Sequence, residues 1–370
     1  MKIKDKYKER YKRIMDTIQL KTADRVPVVL EYAGFAARAA KVPMNEFVSS
    51  YEYSTKVMIQ AYEEIGDGDG INYAAPGCYS LATLYLSKVR MPGVDLPVDD
   101  ELQVHESELM KRSDYDRILE MGWPKFFKSF LKEKIYDDAK QELLPENQKK
   151  VDMRKMWEEV GVPVISGGAA PCPIELLSGG RSLVPFITDQ FEIPEKLEQV
   201  FEHMLPHMAK KAINYTRDGG YPCTWVMGCR SAPAMMSPEM WDRWVWPYFK
   251  HVVREVVDAG QIALLHLDSN WTRELKRFKE LPQGKCILAL DGETDIHAAK
   301  KILDGHMCIQ GDVPARMLAF DQPEDVTRYA KKLINELGPT GYILHSGCDI
   351  PTNAKLENVQ AMVRAAMDQS

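Results

Sequence analysis

Gln261-Ile262-Ala263-Leu264-Leu265-His266-Leu267-Asp268-Ser269-Asn270 starts as the inside of a strand and ends with a histidine and an aspartate two residues apart. Side chains on a strand alternate with period two, so His266 and Asp268 share one face. The preceding stretch is helical. Ser237-Pro238-Glu239 supplies an N-cap hydroxyl, a proline for the first turn and an acid near the positive end of the dipole. The run Met240-Trp241-x-x-Trp244-Val245-x-x-Tyr248-Phe249-x-x-Val252-Val253 is then apolar at helical spacing, and Trp241, Trp244 and Trp246 within it read as packing residues. A helix feeding a strand whose polar residues come last is one unit of a βαβ chain.

The same alternation recurs along the sequence. Strands are expected at Val26–Tyr32, Gly70–Ala74, Val162–Gly167, Cys223–Met227, Ile262–Asp268, Cys286–Leu290, Met307–Gly311 and Gly341–Ser346. Eight strand–helix units predict an α/β fold, a closed (β/α)8 TIM barrel, with residues 1–370 as a single domain. Residues 1–21 read as an N-terminal helical extension. Residues 77–161, between the second and third strands, are too long for a bare loop and are expected to be a helical insertion covering the barrel mouth. Trp123, Phe126, Phe127, Phe130 and Leu131 lie on its helical tail.

Composition narrows the function classes. With 370 residues, 45% of them hydrophobic, a substantial core is available without disulfides. Seven cysteines, an odd number at irregular spacing, do not form a disulfide framework. A net charge of −6, with its basic segments interrupted, argues against nucleic acid as a partner. No apolar run reaches membrane-spanning length and the N-terminus lacks a signal-peptide core, so a cytoplasmic location is expected. Neither a GxGxxG nor a Walker pattern occurs.

In a barrel of this kind the chemistry sits at the carboxyl ends of the strands. There the sequence offers Glu31, Tyr32, Asn72, Tyr73, Met227, Cys229, His266, Asp268, Asp291, Glu293, Gln310, Asp312, His345 and Cys348. His266, Asp268 and Cys348 provide an imidazole, a carboxylate and a thiolate, the ordinary ligands of a catalytic zinc with one open position. The competing reading makes them a satisfied core histidine, a helix cap and a buried thiol. Cys308 is a rival ligand, but its place early in a strand puts it low in the barrel. Cys172, Cys223 and Cys286 read as core, and His203, His207, His251 and His297 as solvated helix residues. The Gly167-Gly168 and Gly179-Gly180 pairs fit either close approach of a ligand or turn geometry.

Several segments together resemble the uroporphyrinogen decarboxylase-like superfamily. They are Arg25-Val26-Pro27-Val28, Met236-Ser237-Pro238-Glu239-Met240-Trp241 with Trp246-Pro247, Leu265-His266-Leu267-Asp268, Gln310-Gly311-Asp312-Val313-Pro314 and Gly341-Tyr342-Ile343-Leu344-His345-Ser346-Gly347-Cys348-Asp349-Ile350-Pro351 with Leu356-Glu357-Asn358. The resemblance implies a (β/α)8 barrel over nearly the whole chain. The decarboxylases carry an arginine-rich stretch after the first strand, whereas Leu30 to Arg38 here holds an acid, aromatics and one arginine. That departure points to the other branch, the zinc-dependent methyltransferases that work with corrinoid proteins. Many of these end the fifth strand in His-x-Cys and take a third cysteine ligand after the eighth. His266 and Cys348 match, while Asp268 replaces a cysteine.

Exchanging thiolate for carboxylate makes the site harder and better suited to oxygen. The resemblance therefore implies an O-demethylase methyltransferase, which moves the methyl group of a methoxylated aromatic to the Co(I) corrinoid of a partner protein. A second methyltransferase of the pathway would be an indirect partner. Expected roles are zinc ligation by His266, Asp268 and Cys348, proton delivery by Glu31, Asp291 or His345, and substrate binding by Tyr32, Phe35, Tyr73, Trp225 and Met227. The alternatives are a methylcorrinoid:thiol methyltransferase, a decarboxylase of the uroporphyrinogen type, and a barrel that has lost its chemistry.

Overall fold

The computed structural model describes residues 2–76 and 79–367. Met1 and Gly77, with which the expected extension and insertion begin, lie outside them. Parallel strands β1 (Val29–Leu30), β2 (Gly70–Ile71), β3 (Ser166–Ala170), β4 (Cys223–Gly228), β5 (Ile262–Leu267), β6 (Cys286–Leu290), β7 (Cys308–Val313) and β8 (Tyr342–Ser346) match the eight expected positions. Strands β3 to β8 form one six-stranded ladder, and β1 pairs with β2. The ladder is not continuous around the ring. Single bridges, Val28 with Leu344 and Ile71 with Val164, tie the short pair to the sheet's two edges.

Alternation sorts each strand into an inner and an outer set. Val29, Cys223, Leu264, Ile287, Cys308 and Ile343 form one buried inner cluster, joined by Ile14 and Ile18 of the N-terminal helix Ile3–Ile18. That helix stops the bottom of the barrel, and full burial of each isoleucine is worth about 1.5–3 kcal/mol. Two residues further along the same strands stand Glu31, Trp225, His266, Ala289, Gln310 and His345. Period-two geometry puts this second set inside as well. The upper inner layer is therefore largely polar.

Local signals behave as expected elsewhere. Ser237 caps the helix Pro238–Trp244 by accepting from the Met240 amide at 3.2 Å. Trp241 and Trp244 are fully buried. The glycine pairs serve backbone packing: a Cβ at Gly168 would meet Ala212 backbone at 2.7 Å, and one at Gly179 would meet the Tyr85 carbonyl at 1.8 Å.

The segment between β2 and β3 contains an antiparallel hairpin, Lys88–Arg90 with Gln103–His105, and helices Arg112–Met121, Trp123–Phe130 and Met153–Glu159. Phe126 and Phe130 stack at 5.4 Å and are fully buried in the outer core. The segment meets residues beyond the strand ends instead through Glu106, which pairs with Arg230, Glu108, which pairs with Arg181, and Glu101, which lies against Gly34 and Thr352. Among the described residues no helix is long and apolar enough to cross a membrane.

Asp69, just before β2, is fully buried and ion-pairs with Arg13 at 2.7 Å and Arg25 at 2.6 Å, and it also accepts from the Val28 amide at 2.8 Å. Removing it leaves the Arg25 guanidinium without a carboxylate and the Val28 amide without its acceptor, while Arg13 keeps Glu9 and Asp24. Asp69→Ala is expected to cost roughly 3–5 kcal/mol in urea unfolding; a loss below 1 kcal/mol would contradict this role.

Candidate metal centre

Three side chains converge at the upper inner layer. Ligand atoms of Glu31, His266 and Cys348 all lie within 4.8 Å of one another, the one such group of three or more found among the described residues. Glu31 follows β1, His266 is the inward residue near the end of β5, and Cys348 sits two residues past β8. Cys348 Sγ is 3.8 Å from His266 Nε2. An oxygen, a nitrogen and a sulfur donor in a buried setting fit zinc.

Electrostatics hold the cluster charged. Burial opposes an imidazolium at His266, yet hydrogen bonds with Asp268 and Cys348 and the charge of Glu31 carry its pKa well above the ordinary histidine value. Burial works to raise Glu31, but contact with His345, the charge of His266 and the Asn72 amide bring it below the usual carboxylate range. The Cys348 thiol is pushed up by burial, partly offset by His266. A cation bound here would displace protons from His266 and Cys348.

Behind Glu31 lies a buried polar network. Asn72 Nδ2 donates to Glu31 Oε2 and to His345 Nε2 at 3.1 Å, and Gln310 Nε2 donates to Asn72 Oδ1 at 3.2 Å. Gln310 Oε1 finds no hydrogen-bond partner, which costs on the order of 1–3 kcal/mol. On the opposite side Trp225 packs on His266 with ring centres 4.7 Å apart, Tyr73 lies 6.1 Å from Trp225, and Tyr73 donates to Asp349 at 2.5 Å.

Residues 131–369 match the uroporphyrinogen decarboxylase (URO-D) family, more than half of the chain. The protein belongs to that family. A uroporphyrinogen decarboxylase of Trichodesmium erythraeum is 28% identical over 136 residues, 36% of this chain and 38% of the relative. Another, of Syntrophotalea carbinolica, is 24% identical over 210 residues, 55% of this chain and 58% of the relative. The chain thus spans less than two thirds of the length of these curated relatives. A methyltransferase from Methanosarcina mazei superposes with a TM-score of 0.73 at 16% identity, covering 96% of this chain and 97% of that one. At that identity the likeness establishes the fold alone.

Within this URO-D barrel the expected site residues separate. His266 and Cys348 come together as anticipated, but the oxygen in their group belongs to Glu31. Asp268 Oδ1 is 3.2 Å from His266 Nε2, and burial, opposed by His266 and Cys229, leaves its carboxyl below the usual range. Burial pushes the Cys229 thiol well up, and the charges of Glu175 and Asp268 add to the rise. Trp225 and Tyr73 flank the cluster, and Met227 stands beside His266 in the ladder. Tyr32 and Phe35 do not line the mouth. One residue past Glu31, Tyr32 faces outward, fully buried, and donates to the Met58 carbonyl at 2.8 Å, with Phe35 packed on it at 6.0 Å. Asp291 holds a turn, accepting from the amides of Ser269 and Glu293 at 2.5 and 2.9 Å. Cys308 is buried in the lower layer, its thiol pushed up to about 12 by burial. His203, His207, His251 and His297 are exposed.

Zinc competition with a chromophoric chelator separates the two oxygen candidates. Glu31→Ala, His266→Ala and Cys348→Ala are each expected to weaken binding more than Asp268→Ala, for which the roughly 10–100-fold loss of an outer partner is expected. Loss on Asp268→Ala with Glu31→Ala unaffected would restore Asp268 as the ligand.

Asp312, at the end of β7, gives a pH signature. Burial and the charge of Asp291 push it up to about 7 despite the hydrogen bond from Tyr329. The folded chain keeps this proton where the unfolded chain, with a carboxyl near 3.9, has lost it. Stability is therefore lost as pH rises from about 4 to 7, by at most about 1.4 kcal/mol per unit. Asp312→Asn should gain on wild type between pH 5 and 8 in urea midpoints, and parallel curves would refute the assignment.

Proposed function

We propose that this URO-D-fold protein is a zinc-dependent methyltransferase that moves the methyl group of a phenyl methyl ether to the Co(I) corrinoid of a partner protein. The observation that carries the reading is the convergence of Glu31, His266 and Cys348 beside the Trp225 and Tyr73 rings. We further take residues 1–370 as one barrel domain, with the segment from 77 to 161 as a cover over its mouth and a surface for the partner. Zinc held by these three residues would supply Lewis acidity to an ether oxygen.

The chain's own groups do the rest. Trp225 and Tyr73 offer a wall for an aryl ring. The methyl–oxygen bond breaks with its electron pair on oxygen, and the corrinoid supplies the pair for the new cobalt–carbon bond. The phenolate then needs a proton. Of the three expected carriers, Glu31 and His345 are tied into the ligand cluster. Asp291 remains, its carboxyl raised by burial, together with the Tyr73–Asp349 pair next to Cys348.

Decarboxylation of a polycarboxylate, the reaction named for the curated relatives, would call for free guanidinium groups at the mouth. Arg38 instead donates to the Asp99 carbonyl, and Arg230 to Glu106 and the Ser178 carbonyl.

The test is anaerobic. The protein is mixed with its corrinoid partner reduced to Co(I) and a panel of methoxylated aromatics, and the methylcobalt spectrum is followed. Methylation that requires an aryl methyl ether and is lost in His266→Ala and Cys348→Ala is expected. Silence with every ether, with thiol-dependent removal of methyl from the methylated corrinoid, would replace the reading by a thiol methyltransferase.

A further inference from the structure

The metal reading names three ligands and leaves open what aims Glu31 at the site. Asn72 is fully buried, as are Gln310 at 0%, His345 at 1% and Glu31 at 2% exposure. One amide nitrogen joins two of them, since Asn72 Nδ2 donates to Glu31 Oε2 and to His345 Nε2. Its oxygen accepts from Gln310 Nε2, which fixes which end of the Asn72 amide faces Glu31. At the far side of the imidazole, His345 Nδ1 meets the Ser346 carbonyl.

His345 Nε2 lies 3.4 Å from Glu31 Oε2, so the imidazole and the Asn72 amide meet the same carboxylate oxygen. Asn72 fixes the carboxylate's rotation by holding Oε2.

We infer that Asn72, oriented by Gln310, is a positioning residue for the metal centre: it sets the rotation of the Glu31 carboxylate. The inference rests on the reading of Glu31, His266 and Cys348 as metal ligands. It explains why Gln310 keeps an unpaired carbonyl in a dry layer, because its amide nitrogen is committed to Asn72.

The experiment measures zinc affinity by chelator competition, and the visible spectrum of the cobalt(II)-loaded protein, in Asn72→Leu, Gln310→Met, Glu31→Ala and the double variant Asn72→Leu/Glu31→Ala. Asn72→Leu should weaken zinc about 10–100-fold and alter the cobalt spectrum while melting near wild type. It should have no further effect once Glu31 is alanine, a dependence that a general packing role would not produce. Gln310→Met should act in the same direction and less. Unchanged affinity in Asn72→Leu, or an equal loss with and without Glu31, overturns the inference alone. Absence of zinc binding in wild type, or binding indifferent to His266→Ala, overturns the metal centre and this inference together. Should Asn72→Leu fail to fold, Gln310→Met decides, measured with and without Glu31→Ala: a loss of zinc affinity that vanishes once Glu31 is alanine is expected, and an equal loss in both backgrounds overturns the inference.

Discussion

One buried carboxylate holds the weakest part of the ring. Strands β1 and β2 contribute two paired residues each, too few for a ladder to keep its own place among longer neighbours. Asp69 pins them by accepting from Arg13 of the N-terminal helix, from Arg25 ahead of β1, and from the Val28 amide. Because the register is fixed at this lower end, Val29 stands opposite Gly70, and two residues on Glu31 and Asn72 stand together at the top. A slip of one residue would turn both outward. The Glu31–His266–Cys348 cluster thus depends on an ion pair at the other end of the barrel, through nothing more than the period of the strand.

The upper layer then works as a set of opposed demands. Glu31 must remain ionised at 2% exposure, a state that burial alone disfavours. Contact with His345, charge on His266 and donation from Asn72 supply what water would have supplied. His266 in turn carries its proton because two acids and a thiol face it. Such a cluster exchanges protons for a cation at little structural cost, since the negative groups are already gathered. The aromatic neighbours Trp225 and Tyr73 restrict water on the remaining side.

Much of this was legible in the residues. The eight strands read correctly because apolar runs and helical runs alternate, and His266 and Cys348 stood out because they are soft ligand types at strand ends. The oxygen donor that groups with His266 and Cys348 was less visible, for a physical reason. Asp268 shares a strand face with His266, and sequence proximity makes that pairing visible, whereas Glu31 meets His266 across the barrel from a strand of only two ladder residues. Tyr32 was misplaced by the same period-two rule that places Glu31, since adjacent residues face opposite sides. Asn72 and Gln310 were visible as polar strand ends, but their roles exist only once β2, β7 and β8 are brought around one axis. Tyr85 and Glu106 gave no signal, because the path of an insertion is set by its packing on helices it does not adjoin in sequence.

The placement of Asp268 bears on chemistry. With Glu31 in the cluster, the oxygen donor does not arise from the Asp268-for-cysteine exchange; it comes from the far side of the ring. Asp268 instead lies 3.2 Å from His266 Nε2, and its charge acts on Cys229 and on Tyr85 from the segment between β2 and β3. The charge at that position therefore bears on both His266 and the insertion. On the proposed metal reading, cysteine there would bring a second sulfur toward the ion, while aspartate leaves the site one sulfur; that difference in donor softness would suit an oxygen-bound substrate better than a thiol.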